Sequence, residues 1–317
     1  IACGPQKTDL SSPTLIGADL CGYATAHHFE GYVSEISLWQ RSLDAAEVRE
    51  KSGPKELVTI ADLEAETRLT PLLQDLLPGS VVVGEEACEK DPGRLALLAG
   101  DAPVWVVDPV DGTLNFAKGD ERFCSMVALV HRDELVAGWI LDPVADRWFA
   151  GERGAGAWRY GPDGRQGRLA MAESAPLDQL EGAFNFRFVP EEWRGDLRTR
   201  ADAHFKAHKR LGCAGQEYMR LLQQDYQFAC WTINMPWDHG AGALLVAEAG
   251  GHLARFDGRA YRPSEITGGL LIAPDHACWA DIRQNVLAEA GALGAYQVRR
   301  GIEPARRKRI AASRSNR

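Results

Sequence analysis

The chain has 317 residues, 45% of them hydrophobic, with a formal net charge of −8 and a pI near 5.6. That balance argues against nucleic acid or an anionic membrane as the main partner and leaves enough apolar surface for one large domain or two subdomains. No apolar run reaches the roughly 18 residues of a membrane span, and no basic-then-apolar leader opens the chain, so a cytoplasmic protein is expected.

Residues 1–28 carry Gly, Pro, Ser and Thr in no period and are expected to be poorly ordered. Residues 29–50, FEGYVSEISLWQRSLDAAEVRE, are expected to supply a short amphipathic helix. In IADLEAETRLTPLLQDLL (60–77) an apolar stripe of Leu63, Leu69, Leu72, Leu73, Leu76 and Leu77 predicts a helix, with Pro71 marking a kink or restart. VVVGEE (81–86) reads as a strand ending in two glutamates. Val104–Val107 reads as a buried strand whose carboxyl tip carries Asp108 and Asp111 before a Gly-Thr turn. Residues 125–143 alternate as a hairpin turning at Arg132-Asp133, and 148–160 as a second hairpin with glycines at its bend. The Gly-x-x-Gly-x-Gly spacing there lacks the strand-to-helix context of a dinucleotide site. His204 and His208, four apart, are expected on a solvated helix face. Helices are expected over 215–224, 240–249 and 277–291, and a buried strand over 270–274. No internal repeat is visible. Strands and helices intermix throughout, which predicts an α/β or α+β layered fold. Residues 299–317 hold eight Arg or Lys; a disordered basic tail is expected, with an anionic contact as the sharper alternative. The seven cysteines (3, 21, 88, 124, 213, 230, 278) show no Cys-x-x-Cys spacing, so reduced thiols and no structural zinc are expected.

The chemistry concentrates in acidic residues. Asp62 opens a helix, Glu85 and Glu86 end a strand, Asp108 and Asp111 end another, and Asp238 precedes a small-residue helix. Hard cations take carboxylates and carbonyls, and Asp108-Pro-Val-Asp111 offers both carboxylates and the Val110 carbonyl. Gly112 and Thr113 follow, and amides at a helix start hold phosphate. Two cations beside such amides are the parts phosphate-ester hydrolysis needs. Each motif alone is ordinary: a capped turn, a solvated strand end, an N-cap by Asp238.

Their order in one chain is more specific. GEE, DPVDGT with Asn115-Phe116, then WDHGAG and EAGG, together with the upstream KSGPKELVTIAD, resemble the inositol monophosphatase family of Mg²⁺-dependent, lithium-sensitive phosphatases over about residues 48–290. The resemblance implies an αβαβα sandwich, commonly a homodimer, with two or three Mg²⁺ per site. It divides the chain into residues 1–28, an α+β subdomain with the metal motifs (29–170), an α/β subdomain with the WD motif and the specificity segments (171–296), and a tail (297–317). Glu85, Asp108 and the Val110 carbonyl would hold one metal, and Asp108, Asp111 and Asp238 a second. Glu86 and Asp62 would lie outside these or help a third. Thr113 with Glu85 would activate water, the Gly112 and Thr113 amides would hold phosphate, and Lys51 would sit on a mobile catalytic loop. Gly212, Cys213 and Ala214 match a substrate-contacting turn, where Cys213 is a small packing residue.

One departure stands out. Seven residues before Asp238, where inositol-type members place a glutamate on sugar hydroxyls, this chain has Trp231. A tryptophan accepts no hydrogen bond from a polyol but suits stacking on a ring. The expected function is therefore a phosphomonoesterase for a small polyol or sugar phosphate, inositol monophosphate first. Histidinol phosphate, fructose 1,6-bisphosphate and a 3′-phosphonucleotide are alternatives, and a non-catalytic regulator on the same fold is the alternative of another class.

Overall fold

The computed structural model describes residues 48–50 and 57–288; the expectations for residues 1–28, for the helix over 29–47, for Lys51 and for the basic tail fall outside them. Strands β1 (Val48–Glu50) and β2 (Leu57–Thr59) pair antiparallel, so residues 48–50 are strand where helix was expected. Helix α1 (Ile60–Leu76) follows. It begins with a reciprocal cap: Asp62 N donates to Thr59 Oγ1, and Thr59 N donates back to Asp62 Oδ2 at 2.7 Å. The helix runs through Pro71 without restarting. Pro71 and Thr67 lie on the exposed face, where the carbonyl that loses its N–H partner is open to solvent.

A seven-stranded sheet comes next: β3 (Val81–Gly84), β4 (Val104–Asp111), β5 (Cys124–His131), β6 (Glu134–Asp142), β7 (Arg147–Glu152), β8 (Gly156–Gly161) and β9 (Gly164–Arg168), ordered as numbered. The β3–β4 pair is parallel and the rest antiparallel. Between β3 and β4 lies α2 (Glu85–Lys90), so the strand stops at Gly84 and both glutamates begin a helix instead of ending a strand. Helix α3 (Thr113–Ala117) follows β4. The hairpin turns sit where expected: Arg132 and Asp133 have φ of 52° and 61°, the left-handed pair of a tight two-residue turn.

The second sheet holds β10 (Glu181–Phe184), β11 (Ala207–His208), β12 (Phe228–Trp231), β13 (His252–Ala254) and β14 (Leu270–Ala273), ordered β11-β10-β12-β14-β13. Its helices are α4 (Glu191–His204), α5 (Ala214–Leu222), α6 (Pro236–Glu248) and α7 (His276–Ile282), the last widening into a π turn over Arg283–Leu287. His204 ends α4 whereas His208 lies on β11, so they share no helix face; His208 instead sits edge-on to Phe184, Phe186 and Phe205, with Nε2 2.7 Å from Asp202 Oδ1. Helix α6 starts four residues earlier than the predicted 240, with Pro236 at its first position. Proline is pre-set for that position and lacks only an N–H the helix would not use.

Alternation along the strands explains the layers. Trp105 and Val107 pack with Leu69 and Leu73 of α1 and with Leu77 just after it on one face of the first sheet. Val104 and Val106 face the other way, onto Tyr218 and Met219 of α5 and Ala241 and Leu245 of α6. Ala229, Trp231, Leu270 and Ile272 of the second sheet close on the same two helices. Phe228, Cys230, Leu271 and Ala273 pack outward on Leu197 and Ala201 of α4 and Trp279 and Ile282 of α7. The result is a helix, sheet, helix, sheet, helix sandwich. Strand β4 is buried over its whole length because both faces are covered, which is why its sequence is continuously apolar up to Asp108.

Candidate active site

Strands β3 and β4 run parallel, so Glu85 and the Asp108–Asp111 segment emerge at the same carboxyl end, where α/β sheets bind ligands. The β4–β5 register breaks there: Asp108 pairs with Met126 and Asp111 with Cys124, so β4 carries one extra residue. Pro109 fits the bulge because it has no N–H to leave unpaired, and its carbonyl accepts from Ser125 Oγ at 2.6 Å. Val110 N donates to Asp108 Oδ1 at 3.1 Å. Gly112 then takes φ of 90°, and a Cβ there would stand 2.9 Å from Cys213 Cβ. Position 112 therefore requires glycine for both its backbone and its space.

One carboxylate oxygen each from Glu85, Asp108 and Asp238 lie within 4.8 Å of one another. Asp238 comes from the first turn of α6, inside the helix instead of at its N-cap. Burial pushes the Asp108 carboxyl well above its usual range, and Glu85, Asp111, Asp238 and Asp62, all negative, push it further. Asp111 rises to about 6, chiefly from burial, although hydrogen bonds from Gly215 N and the Cys213 thiol oppose this. Several buried carboxylates repelling one another are what a hard cation would stabilise. The donor set fits such an ion.

Asp62 is fully buried, and its Oδ1 lies 3.1 Å from Thr113 Oγ1. The same hydroxyl lies 3.0 Å from the Val110 carbonyl. It has one proton and donates to one of the two at a time. Glu86 is buried and lies outside the three-carboxylate group. Glu66 was missed by the sequence reading: its carboxylate accepts from Glu86 N and Ala87 N, each at 2.8 Å, capping α2 and so fixing Glu85. The signal was available, since Glu66 follows Asp62 by four residues on one helix face.

The carboxylates open into a cavity of about 440 Å³. Gly112, Thr113, Cys213, Ala214, Trp231 and Asp238 all line it, as do Glu217, Arg187, Arg210, Phe188 and Met235. Asn115 ties its two sides together, its Nδ2 donating to Arg122 O at 2.7 Å and to Leu211 O at 3.0 Å. His239 is buried with Nε2 3.0 Å from Ile233 O, which can only accept, so Nε2 carries the proton and Nδ1 accepts from Tyr218 at 3.2 Å. Burial lowers its pKa to about 4, so it stays neutral and is spent on structure.

The model of the inositol monophosphatase family matches residues 30–292. The chain belongs to the inositol monophosphatase family. It is 29% identical over 214 residues to a Thermotoga maritima fructose-1,6-bisphosphatase/inositol-1-monophosphatase, covering 67% of this chain and 76% of that one. It is 31% identical over 223 residues to the Nus factor SuhB of Pseudomonas aeruginosa, covering 68% and 78%. The solved Thermotoga maritima IMPase structure superposes with a TM-score of 0.66 at 25% identity, covering 82% of this chain and 94% of that one.

Within this family fold, the Trp231 departure has a structural consequence. Trp231 is 4% exposed, stacks on Tyr218 with centroids 4.9 Å apart, and donates Nε1–H to Glu217 Oε2 at 2.8 Å. Its donor is thus held by Glu217, while its ring still lines the cavity. Glu217, which the sequence reading passed over, takes a second bond from Leu211 N at 2.7 Å, yet burial still raises its pKa to about 7. Its signal was faint: one glutamate inside an otherwise apolar helix face.

Proposed function

We propose that this protein is a Mg²⁺-dependent phosphomonoesterase acting on a small polyol or sugar phosphate. The observation carrying the reading is the convergence of Glu85, Asp108 and Asp238 within 4.8 Å at the mouth of a cavity also lined by Gly112 and Thr113. Glu85, Asp108, the Val110 carbonyl, Asp111 and Asp238 would hold Mg²⁺, with Glu86 beyond them. Bound there, the ions would neutralise the phosphate and lower the pKa of a water. Thr113 Oγ1 would accept a proton from the attacking water while its own hydroxyl proton moves toward Asp62 Oδ1, so Asp62 supplies the basic partner we first assigned to Glu85. Thr113 and Gly112 amides would orient the phosphoryl oxygens, because the first N–H groups of a helix have no partner within it.

Inositol monophosphate remains the first candidate substrate. Arg187 and Arg210 on the cavity wall favour a second reading, a substrate with an additional anionic group such as fructose 1,6-bisphosphate. Family resemblance supports a homodimer. Among the described residues Cys124, Cys213, Cys230 and Cys278 form no disulfide, which supports a reducing, cytoplasmic setting. Among the described residues no helix is long and apolar enough to cross a membrane.

The test is phosphate release from inositol monophosphate, fructose 1,6-bisphosphate, histidinol phosphate and a 3′-phosphonucleotide, with Mg²⁺ and with a chelator. Mg²⁺-dependent turnover of at least one ester is expected. No release from any of them would move the weight to a regulatory role.

A further inference from the structure

Asp111 has a second set of neighbours besides the acidic group. Cys213 Sγ lies 3.1 Å from Asp111 Oδ2, Cys124 Sγ 3.8 Å from it, and the two sulfurs are 3.6 Å apart. A tetrahedral zinc ion with its usual ligand lengths separates two sulfurs by about 3.8 Å and sulfur from oxygen by about 3.6 Å. The three atoms therefore stand within roughly half an ångström of a tripod with two thiolates and one carboxylate.

Two features hold this arrangement. Gly215 N donates to Asp111 Oδ2 at 2.6 Å, fixing the oxygen. A Cβ on Gly215 would fall 2.2 Å from Cys124 Sγ, so glycine at this position lets that sulfur approach. Asp111 and Cys213 both line the cavity, which gives an ion a route in.

We propose that Asp111, Cys124 and Cys213 form a binding site for a thiophilic divalent cation such as Zn²⁺, separate from the three-carboxylate group. On binding, two S–metal bonds form and the two thiol protons leave to solvent, with water completing the tetrahedron. Soft sulfur ligands select Zn²⁺ over Mg²⁺, which takes oxygen. The occupied site places positive charge beside Asp108 and shares the Asp111 carboxylate, so it inhibits Mg²⁺-dependent turnover; this consequence alone rests on the function proposed above.

The test uses the full chain, kept reduced with a phosphine and titrated with Cd²⁺ in excess Mg²⁺ while the cadmium–thiolate ultraviolet band is recorded. One saturable equivalent is expected. The band should vanish in Cys124→Ser and in Cys213→Ser and persist in Cys278→Ser, each variant being checked for an intact melting transition. Cys124→Ala serves if the serine variant fails to fold. A wild-type protein without the band, or a band that survives Cys124→Ser, overturns the site. In parallel, the Zn²⁺ concentration giving half-inhibition should rise about tenfold or more in Cys124→Ser, measured against that variant's own uninhibited rate; an unchanged value overturns the inhibitory role. Absence of any phosphatase activity would instead fail the function, and the band reports independently of it.

Discussion

Trp231→Phe tests what the exchanged specificity residue does. Phenylalanine keeps an aromatic ring over Tyr218 but removes the Nε1–H that reaches Glu217 at 2.8 Å. When Glu217 is ionised, a buried hydrogen bond to a charge is lost, worth about 1.5–3 kcal/mol; when it is neutral the loss is about 0.5–1.5 kcal/mol. Glu217 has a folded pKa of about 7 against 4.5 unperturbed, so it is largely neutral at pH 5.5 and largely ionised at pH 8.5. For a cooperative unit of this size 1 kcal/mol moves Tm by about 2–4 °C. The hydrogen bond's share of the expected drop is about 1–6 °C at pH 5.5 and about 3–12 °C at pH 8.5, read by circular-dichroism melts of wild type and variant. The smaller ring adds a penalty of about 1 kcal/mol that does not depend on pH. The difference between the two pH values therefore isolates the hydrogen bond. Equal drops at both, or a pH dependence that persists in Glu217→Gln, would refute the assignment.

The raised carboxyls also set how the metal-free protein responds to pH. Glu217 and Asp111, at about 7 and about 6, bind protons more tightly folded than unfolded. Their contribution is complete below the unfolded values and is lost as pH rises through the folded ones. Asp108→Asn replaces one of the crowded buried carboxyls with a neutral group, so in chelator its Tm at pH 8 should rise above wild type, while turnover with Mg²⁺ falls by more than the roughly 10- to 100-fold that losing an outer metal partner costs. Retained turnover would remove Asp108 from the metal set. Thr113→Ala and Asp62→Asn should each lower kcat by about 10²-fold or more. Because the two groups form one proton path, the double variant should be no slower than the worse single one; multiplying effects in the same assay would show that they act separately.

Much of the site was legible because its residues are close in sequence. Asp108, Asp111, Gly112 and Thr113 fall on one turn, and the proline between the carboxylates announces a strand end. Glu85 and Glu86 were legible as acids but not as a helix start, because a four-residue apolar run does not say where it stops. The start of α6 was misplaced because Met235 offers no polar cap and only Pro236 marks it. Glu66 and Glu217 went unread because a buried glutamate looks like a solvated one until its partners are known.

The sequence by itself determined the layered class, the acidic constellation and the departure at position 231. The first two follow from periodicity, turn chemistry and residue type, which are local; the third shows only against the pattern of the family the motifs resemble. Only the tertiary structure decided which atoms meet. Asp62 reaches Thr113 across 51 positions, Trp231 spends its donor on Glu217, and Cys124 and Cys213 meet over Asp111 although 89 positions separate them. Those contacts depend on strand register and on the close approach at Gly215, and a one-dimensional pattern encodes neither.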